Sequence, residues 1–202
     1  STIRAISYQL YENNGVVKRE EVLNYIKVLD QKERKILRDI GVKFGRYHIY
    51  LHKLLKPEAV SLRLILWKNF YQKFFDFKPP TFGLNFLESK KNLNKNFMLI
   101  CGFEKFGDFY VRIDILERLF IKIINSEQKN EIMLTPEMLN LLGCSKENFL
   151  KLINKMNYKS YEKEKNFYFK YSPTKNKNVK NYKQNYSNNS PFKILKEMNF
   201  KQ

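Results

Sequence analysis

Apolar positions recur at helical spacing from the start of the chain. In residues 3–13 (IRAISYQLYEN), Ile3, Ile6 and Leu10 share one side, and Asn13-Asn14-Gly15 ends the run. Residues 17–28 and 30–40 predict two more helices, the second with Asp30 as N-cap, Glu33 completing a capping box, and Gly41 just past its end. The period then changes. Residues 42–51 alternate loosely and are rich in β-formers, so an extended segment is predicted. Pro57 opens a long apolar helix ending near Phe75.

Pro79-Pro80, Gly83 and scattered lysines mark residues 79–96 as a linker. Short strands are predicted over 97–102 and 109–112. The order that follows is informative: a helix (113–125), a short apolar strand (131–135), a helix opened by Pro136, and a stop at Gly143-Cys144. Ser145 caps a further helix (KENFLKLINKMN), and residues 158–163 and 166–171 alternate as a hairpin. Helix, strand, helix, tight turn, helix, hairpin is the layout of a winged helix-turn-helix.

The expected fold class is therefore mainly α with small β elements (α+β), an N-terminal helical unit followed by a winged helix-turn-helix. The expected domains are 1–78 as a helical accessory unit, 79–96 as linker, 97–171 as the winged module and 172–202 as a basic tail. The tail is low in apolar residues and dense in Lys, Asn and Ser, which predicts disorder. Its last residues, PFKILKEMNF, could dock back as an amphipathic turn.

Composition sharpens this picture at one point, the charge. The 202 residues carry 38 Lys+Arg against 20 Asp+Glu, a net +18. Lysine outnumbers arginine 30 to 8 beside 22 asparagines, so A/T-rich codon drift supplies part of the excess. Its distribution is uneven. Residues 41–75 hold seven basic side chains against the single Glu58, and the tail holds seven lysines against Glu197. Residues 108–157 balance at seven against seven. A focused basic field of this kind raises the local concentration of a polyanion such as nucleic acid.

Two binding surfaces are predicted. Between 41 and 56, Lys43, Arg46, Lys53 and Lys56 interleave with aromatics including Tyr47, a mixture suited to phosphate contact and base stacking. On the helix after Ser145, Lys146, Asn148, Lys151 and Lys155, with Lys159 just beyond, offer groups for phosphates or base edges, while Phe149, Leu152, Ile153 and Met156 turn inward. The opposing reading is that this balanced body only packs against protein.

Other chemistry finds little support. Gly102-FEKF-Gly107 has the glycine spacing of a phosphate loop, but Asp108-Phe109 stand where Lys and Ser/Thr are required, so neither catalytic residues nor a cofactor are assigned to this chain. His48 and His52 are four apart in an extended segment and are read as structural or surface residues, with no metal site. Cys101 and Cys144 are read as small buried hydrophobes. There is no ~20-residue apolar run for a membrane span and no leader pattern, so a cytoplasmic monomer is expected. An opening Ser1-Thr2-Ile3 without Met is the expectation for a processed product or a piece of a longer protein.

Four strings together carry a resemblance: RKILRDIGVKFGRYHIYLHKLLKPEAVSLRLILW (34–67), FYVRIDILERL (109–119), LLGCSKENFLKLINKMNYK (141–159) and NSPFKILKEM (189–198). In this order they resemble the C-terminal region of bacterial, mostly alphaproteobacterial, superfamily 2 helicases similar to the RNA helicase of the mitochondrial degradosome. The resemblance implies two ATP-hydrolysing motor lobes, with ATP and Mg²⁺, in the parent protein ahead of this region. It implies that this chain is an accessory part without a motor, binding or guiding single-stranded or structured RNA or DNA. Gly41, Phe44, Gly45, Leu51, Pro57, Leu62, Trp67, Gly143 and Ser190-Pro191-Phe192 match the pattern, most of them in structural roles. The Lys- and Asn-dense tail departs from it. Two alternatives stand beside this reading: a stand-alone winged-helix DNA-binding regulator, and a module that docks a protein partner of a helicase.

Overall fold

The computed structural model describes residues 1–71, 78–89, 93–126, 131–164 and 166–172. Residues 1–172 form one compact unit. The expectations for the tail lie outside the described residues.

The chain is a mixed α/β fold with three small antiparallel sheets, and one sheet order recurs in three passes along the chain, the middle pass carrying one helix fewer among the described residues. The first pass runs α1 (Thr2–Glu12), β1 (Val16–Lys18), a 3-10 turn into α2 (Leu23–Val28), α3 (Gln31–Asp39), β2 (Val42–Phe44) and β3 (His48–Leu51). The second has α4 (Pro57–Tyr71), β4 (Phe86–Glu88), α5 (Lys95–Ile100), β5 (Phe103–Phe106) and β6 (Phe109–Arg112). The third has α6 (Ile113–Asn125), β7 (Ile132–Met133), α7 (Pro136–Leu142), α8 (Lys146–Lys155), β8 (Tyr158–Lys163) and β9 (Asn166–Tyr171). In every pass the strand after the leading helix pairs with the last strand of the hairpin: the sheet orders are β1–β3–β2, β4–β6–β5 and β7–β9–β8. The leading helices begin at Thr2, Pro57 and Ile113, so the repeat is nearly regular in length.

Each pass buries its own core. Ile6, Leu10, Val22, Ile26, Leu37 and Ile49 close the first. Val60, Leu64, Trp67, Phe97, Ile100 and Tyr110 close the second. The third and largest gathers Leu116, Leu119, Phe149, Leu152, Ile153 and Phe169. At about 1.5–3 kcal/mol for each fully buried large side chain, these three cores dominate the favourable energetics. A smaller cluster of Val16, Tyr50, Leu55 and Ile113 joins the passes.

Several expectations change here. The N-terminal unit is not purely helical, because β1, taken from the front of the predicted 17–28 helix, joins β2 and β3 in a sheet. Val16 and Val17 are β-branched and buried, and pairing with Tyr50 and Ile49 outweighs local helix propensity. Residues 97–102, predicted as a strand, lie mostly in α5, started by the Asn94 side chain accepting from the Phe97 N–H at 3.1 Å. The segment predicted as linker carries β4 and the start of α5, so the middle pass is built through it. The Asp30–Glu33 capping box and the Ser145 cap are both formed.

Candidate nucleic-acid interface

The helix α8 is positioned from its N-terminal side. Gly143 ends α7 in the left-handed region (φ +67), where only glycine adopts the backbone without strain. Ser145 then caps α8, its hydroxyl accepting from the Asn148 N–H at 3.3 Å. Phe149, Leu152 and Ile153 are fully buried, which turns Lys151, Asn154 and Lys155 outward. Lys151 and Lys155 make no ion pair among the described residues.

Lys155 extends over the β5–β6 turn, where a Cβ at Gly107 would collide with its ammonium. It lines two neighbouring clefts. One, of about 410 Å³, brings it together with Arg46, Tyr47, Arg19 and Phe106. The other, of about 310 Å³, sets Lys151, Lys155 and Asn148 beside Glu88 and Asp108. The fold thus brings Arg46 and Tyr47 to the C-terminal end of α8, across more than a hundred residues of chain.

A buried carboxylate holds Arg46 there. Glu117 of α6, 5% exposed, accepts from the backbone N–H groups of Arg46, Tyr47 and His48 at 2.5, 2.9 and 2.8 Å. Gly45 is required by this approach, since a Cβ would overlap the carboxylate. His48, 2% exposed, lies between two acids: its Nδ1 is 3.3 Å from Glu117 and its Nε2 is 3.3 Å from Glu104 on β5. Lys18 completes the chain, 3.1 Å from the other Glu104 oxygen. Burial by itself would lower the His48 pKa, but the hydrogen bonds and charges of both carboxylates outweigh it and raise it above the usual value. Burial works to raise Glu104, and the His48 and Lys18 contacts overcome this and hold it below the ordinary carboxylate range.

The other predicted residues are placed as follows. Tyr47 is half-buried, its ring in edge contact with Phe120 at 5.3 Å, and burial pushes its hydroxyl pKa up; this ring packs rather than offering a free stacking face. Lys146 sits over the Phe167 ring, 3.2 Å from its centroid. The Asn148 amide donates to Glu88, so it is already engaged. Lys159 is exposed on β8, opposite Lys170. Lys43 is exposed on β2. Lys53 lies in the 3-10 turn after β3, and Lys56 just beyond it lines a separate cavity of about 260 Å³ with Arg112 and Arg118. None of the clefts described above sets Lys43, Lys53 or Lys56 beside the α8 group.

Sequence reasoning missed Arg19, Phe106, Glu104 and Glu117. For Glu117 a signal existed: it is an acid within the apolar run DILERLF, on the flank of the Ile113–Leu116–Phe120 face. The remaining chemistry is quiet. Burial pushes the Cys101 thiol up to about 12 and Cys144 up to about 11, so both are protonated at neutral pH. The Gly102–Gly107 segment forms β5 and its hairpin turn, not a strand-to-helix phosphate loop. Among the described residues no group of three or more His, Cys, Asp or Glu could hold a metal ion, and no helix is long and apolar enough to cross a membrane. No protein-family model matches this chain, and no curated protein or solved structure matches it either.

Proposed function

We propose that this chain is a nucleic-acid-binding module without a motor of its own, and that residues 113–171 act as a winged helix-turn-helix. The element order and the β7–β9–β8 sheet support that layout. The observation that carries the binding reading is the outward face of α8, where Lys151 and Lys155 make no ion pair among the described residues and Lys155 stands beside Arg46. Cations left unpaired on one rigid helix can turn to phosphates without breaking an ion pair, and they gain by releasing condensed counterions. The helicase setting, with this chain as the accessory region behind an ATP-dependent motor, is proposed on the resembling strings alone.

The test is fluorescence anisotropy with labelled RNA and DNA over a range of salt. Affinity should fall with a log–log slope of about 0.7–0.9 per phosphate neutralised. K151E/K155E should lower that slope by about two and weaken binding at least tenfold. Affinity indifferent to salt, or untouched by K151E/K155E, would overturn the reading. For the helicase setting, the upstream reading frame should encode motor motifs, and a frame without them sinks that part.

A further inference from the structure

Each of the three passes closes a core of its own, and a cavity of about 260 Å³ is left where they meet. Its wall takes residues from the 3-10 turn after β3 (His52–Leu55), from the start of α4, from the segment 79–84 ahead of β4, and from the junction of β6 with α6. None of its lining residues belongs to α8.

The polar part of this wall is cationic. Lys56, Arg112 and Arg118 line it with the His52 ring, against a single carboxylate, Asp114. That carboxylate is buried and already engaged: Arg112 donates to one oxygen from Nε at 2.8 Å and to the other from a terminal nitrogen at 2.7 Å. Arg118 lies one turn further along α6. Both it and Lys56 are exposed and make no ion pair among the described residues. Glu58, in the first turn of α4, is exposed and does not line the cavity. Like charges gathered in a concave site repel one another and focus their field on an anion. The rest of the wall is largely apolar. Pro79 and Pro80 lead into a turn over 81–84, where the Leu84 N–H donates to the Thr81 carbonyl at 3.3 Å and Gly83 takes a φ of +96. The second residue of that turn, Phe82, lines the cavity, is 54% exposed, and has no ring contact among the described residues. The turn thus presents an unstacked ring beside a cluster of cations.

We infer that this cavity binds a nucleoside phosphate, with the phosphate on Arg118 and Lys56 and the base stacked on Phe82. The combination sets the class. A bare anion leaves the aromatic ring unused, and an apolar ligand leaves both unpaired cations without a partner. A base on an aromatic ring contributes about 1–3 kcal/mol. At about 260 Å³ the cavity lies just below the roughly 300–1,000 Å³ of ordinary ligand sites, so it takes a single unit. That unit is a free nucleotide or one residue of a single strand; a base inside a duplex has both faces stacked already. No residue of the α8 interface takes part, so the site stands apart from that reading and fails or holds by itself.

The experiment is isothermal titration calorimetry on the full chain with AMP, GMP, CMP and UMP, and with adenosine, inorganic phosphate and phenyl phosphate as partial ligands. The expected result is a 1:1 complex with at least one nucleotide, each partial ligand binding at least tenfold more weakly. K56A/R118A should weaken the nucleotide at least tenfold. F82A should weaken it roughly 5- to 150-fold, the stacking contribution converted to affinity, and F82W should restore it. These side chains are exposed, so the circular-dichroism melts of the variants should match wild type. A homopolymer strand of about ten residues that displaces the bound nucleotide assigns the unit to a strand, and one that does not assigns it to a free nucleotide. Phosphate or phenyl phosphate bound as tightly as the nucleotides overturns the ligand class. No binding by any of the four nucleotides, or wild-type binding by both K56A/R118A and F82A, overturns the site. K151E/K155E should bind the nucleotide as wild type does; if it alone loses binding, the ligand lies on α8, the cavity site falls and the reading above stands.

Discussion

Replacing Glu117 by Gln keeps the size of the side chain and removes its charge, and the structure says what that does. Three backbone N–H groups and the His48 ring converge on the two carboxylate oxygens. A glutamine has one oxygen and one NH₂. The oxygen can keep the Tyr47 and His48 N–H groups, which already share Oε1, while the NH₂ then faces the Arg46 N–H, donor against donor. Hydrogen bonds to a charged group contribute about 1.5–3 kcal/mol each, and leaving a buried donor unsatisfied costs about 1–3 kcal/mol. Breaking a buried ion pair through one partner costs about 3–5 kcal/mol. A loss near the lower end, about 3 kcal/mol, is expected, because the glutamine retains two of the contacts. For a chain of this size that lowers Tm by roughly 6–12 °C. Urea denaturation of wild type and E117Q, read by tryptophan fluorescence and circular dichroism, measures it directly. A loss below about 1 kcal/mol would show that the carboxylate is solvated in solution and that the clamp between the first and third passes is not a stabilising element.

Two further outcomes follow from the same junction. Because the folded-state pKa of His48 is raised above 6.5, its contribution is fully present below that value and is lost as pH rises through the raised one; that of Glu104, lowered from 4.5, is present above 4.5 and lost as pH falls. Urea midpoints should therefore decline on the alkaline side, H48Q should flatten that limb, and equal midpoints for wild type at pH 6 and pH 9 would contradict the sign. Gly45→Ala should destabilise by about 1–3 kcal/mol through overlap with Glu117, whereas Gly143→Ala, with open space around its Cβ, should cost only the left-handed strain of about 1 kcal/mol. Equal melting shifts for the two would refute the steric account.

Much of the architecture was legible before any tertiary contact was considered. Residues 113–171 carry strong local signals: an amphipathic run, Pro136 at a helix start, Gly143 at its end, Ser145 as cap, and alternation in the hairpin. Each of these acts over a few residues, and each element formed where predicted. Failures cluster where local and long-range terms conflict. Val16-Val17-Lys18 sits in front of a helical pattern and becomes a strand because β3 lies beside it. Phe97–Ile100 reads as an apolar strand, and helix or strand is undecidable for so short a run without its neighbours. Strand β4 hides behind Pro79-Pro80 and Gly83, and only pairing with β6 makes it extended.

The sequence by itself determined the helices with strong period and caps, the inward and outward faces of α8, and the uneven placement of the basic charge. All of these depend on spacing along the chain. Tertiary structure alone decided that one sheet order is used three times, since what repeats is a strand-pairing topology. It also decided that Arg46 stands beside Lys155. That neighbourhood is created by a carboxylate some seventy residues from the backbone amides it binds, and no local pattern encodes a partner at that distance.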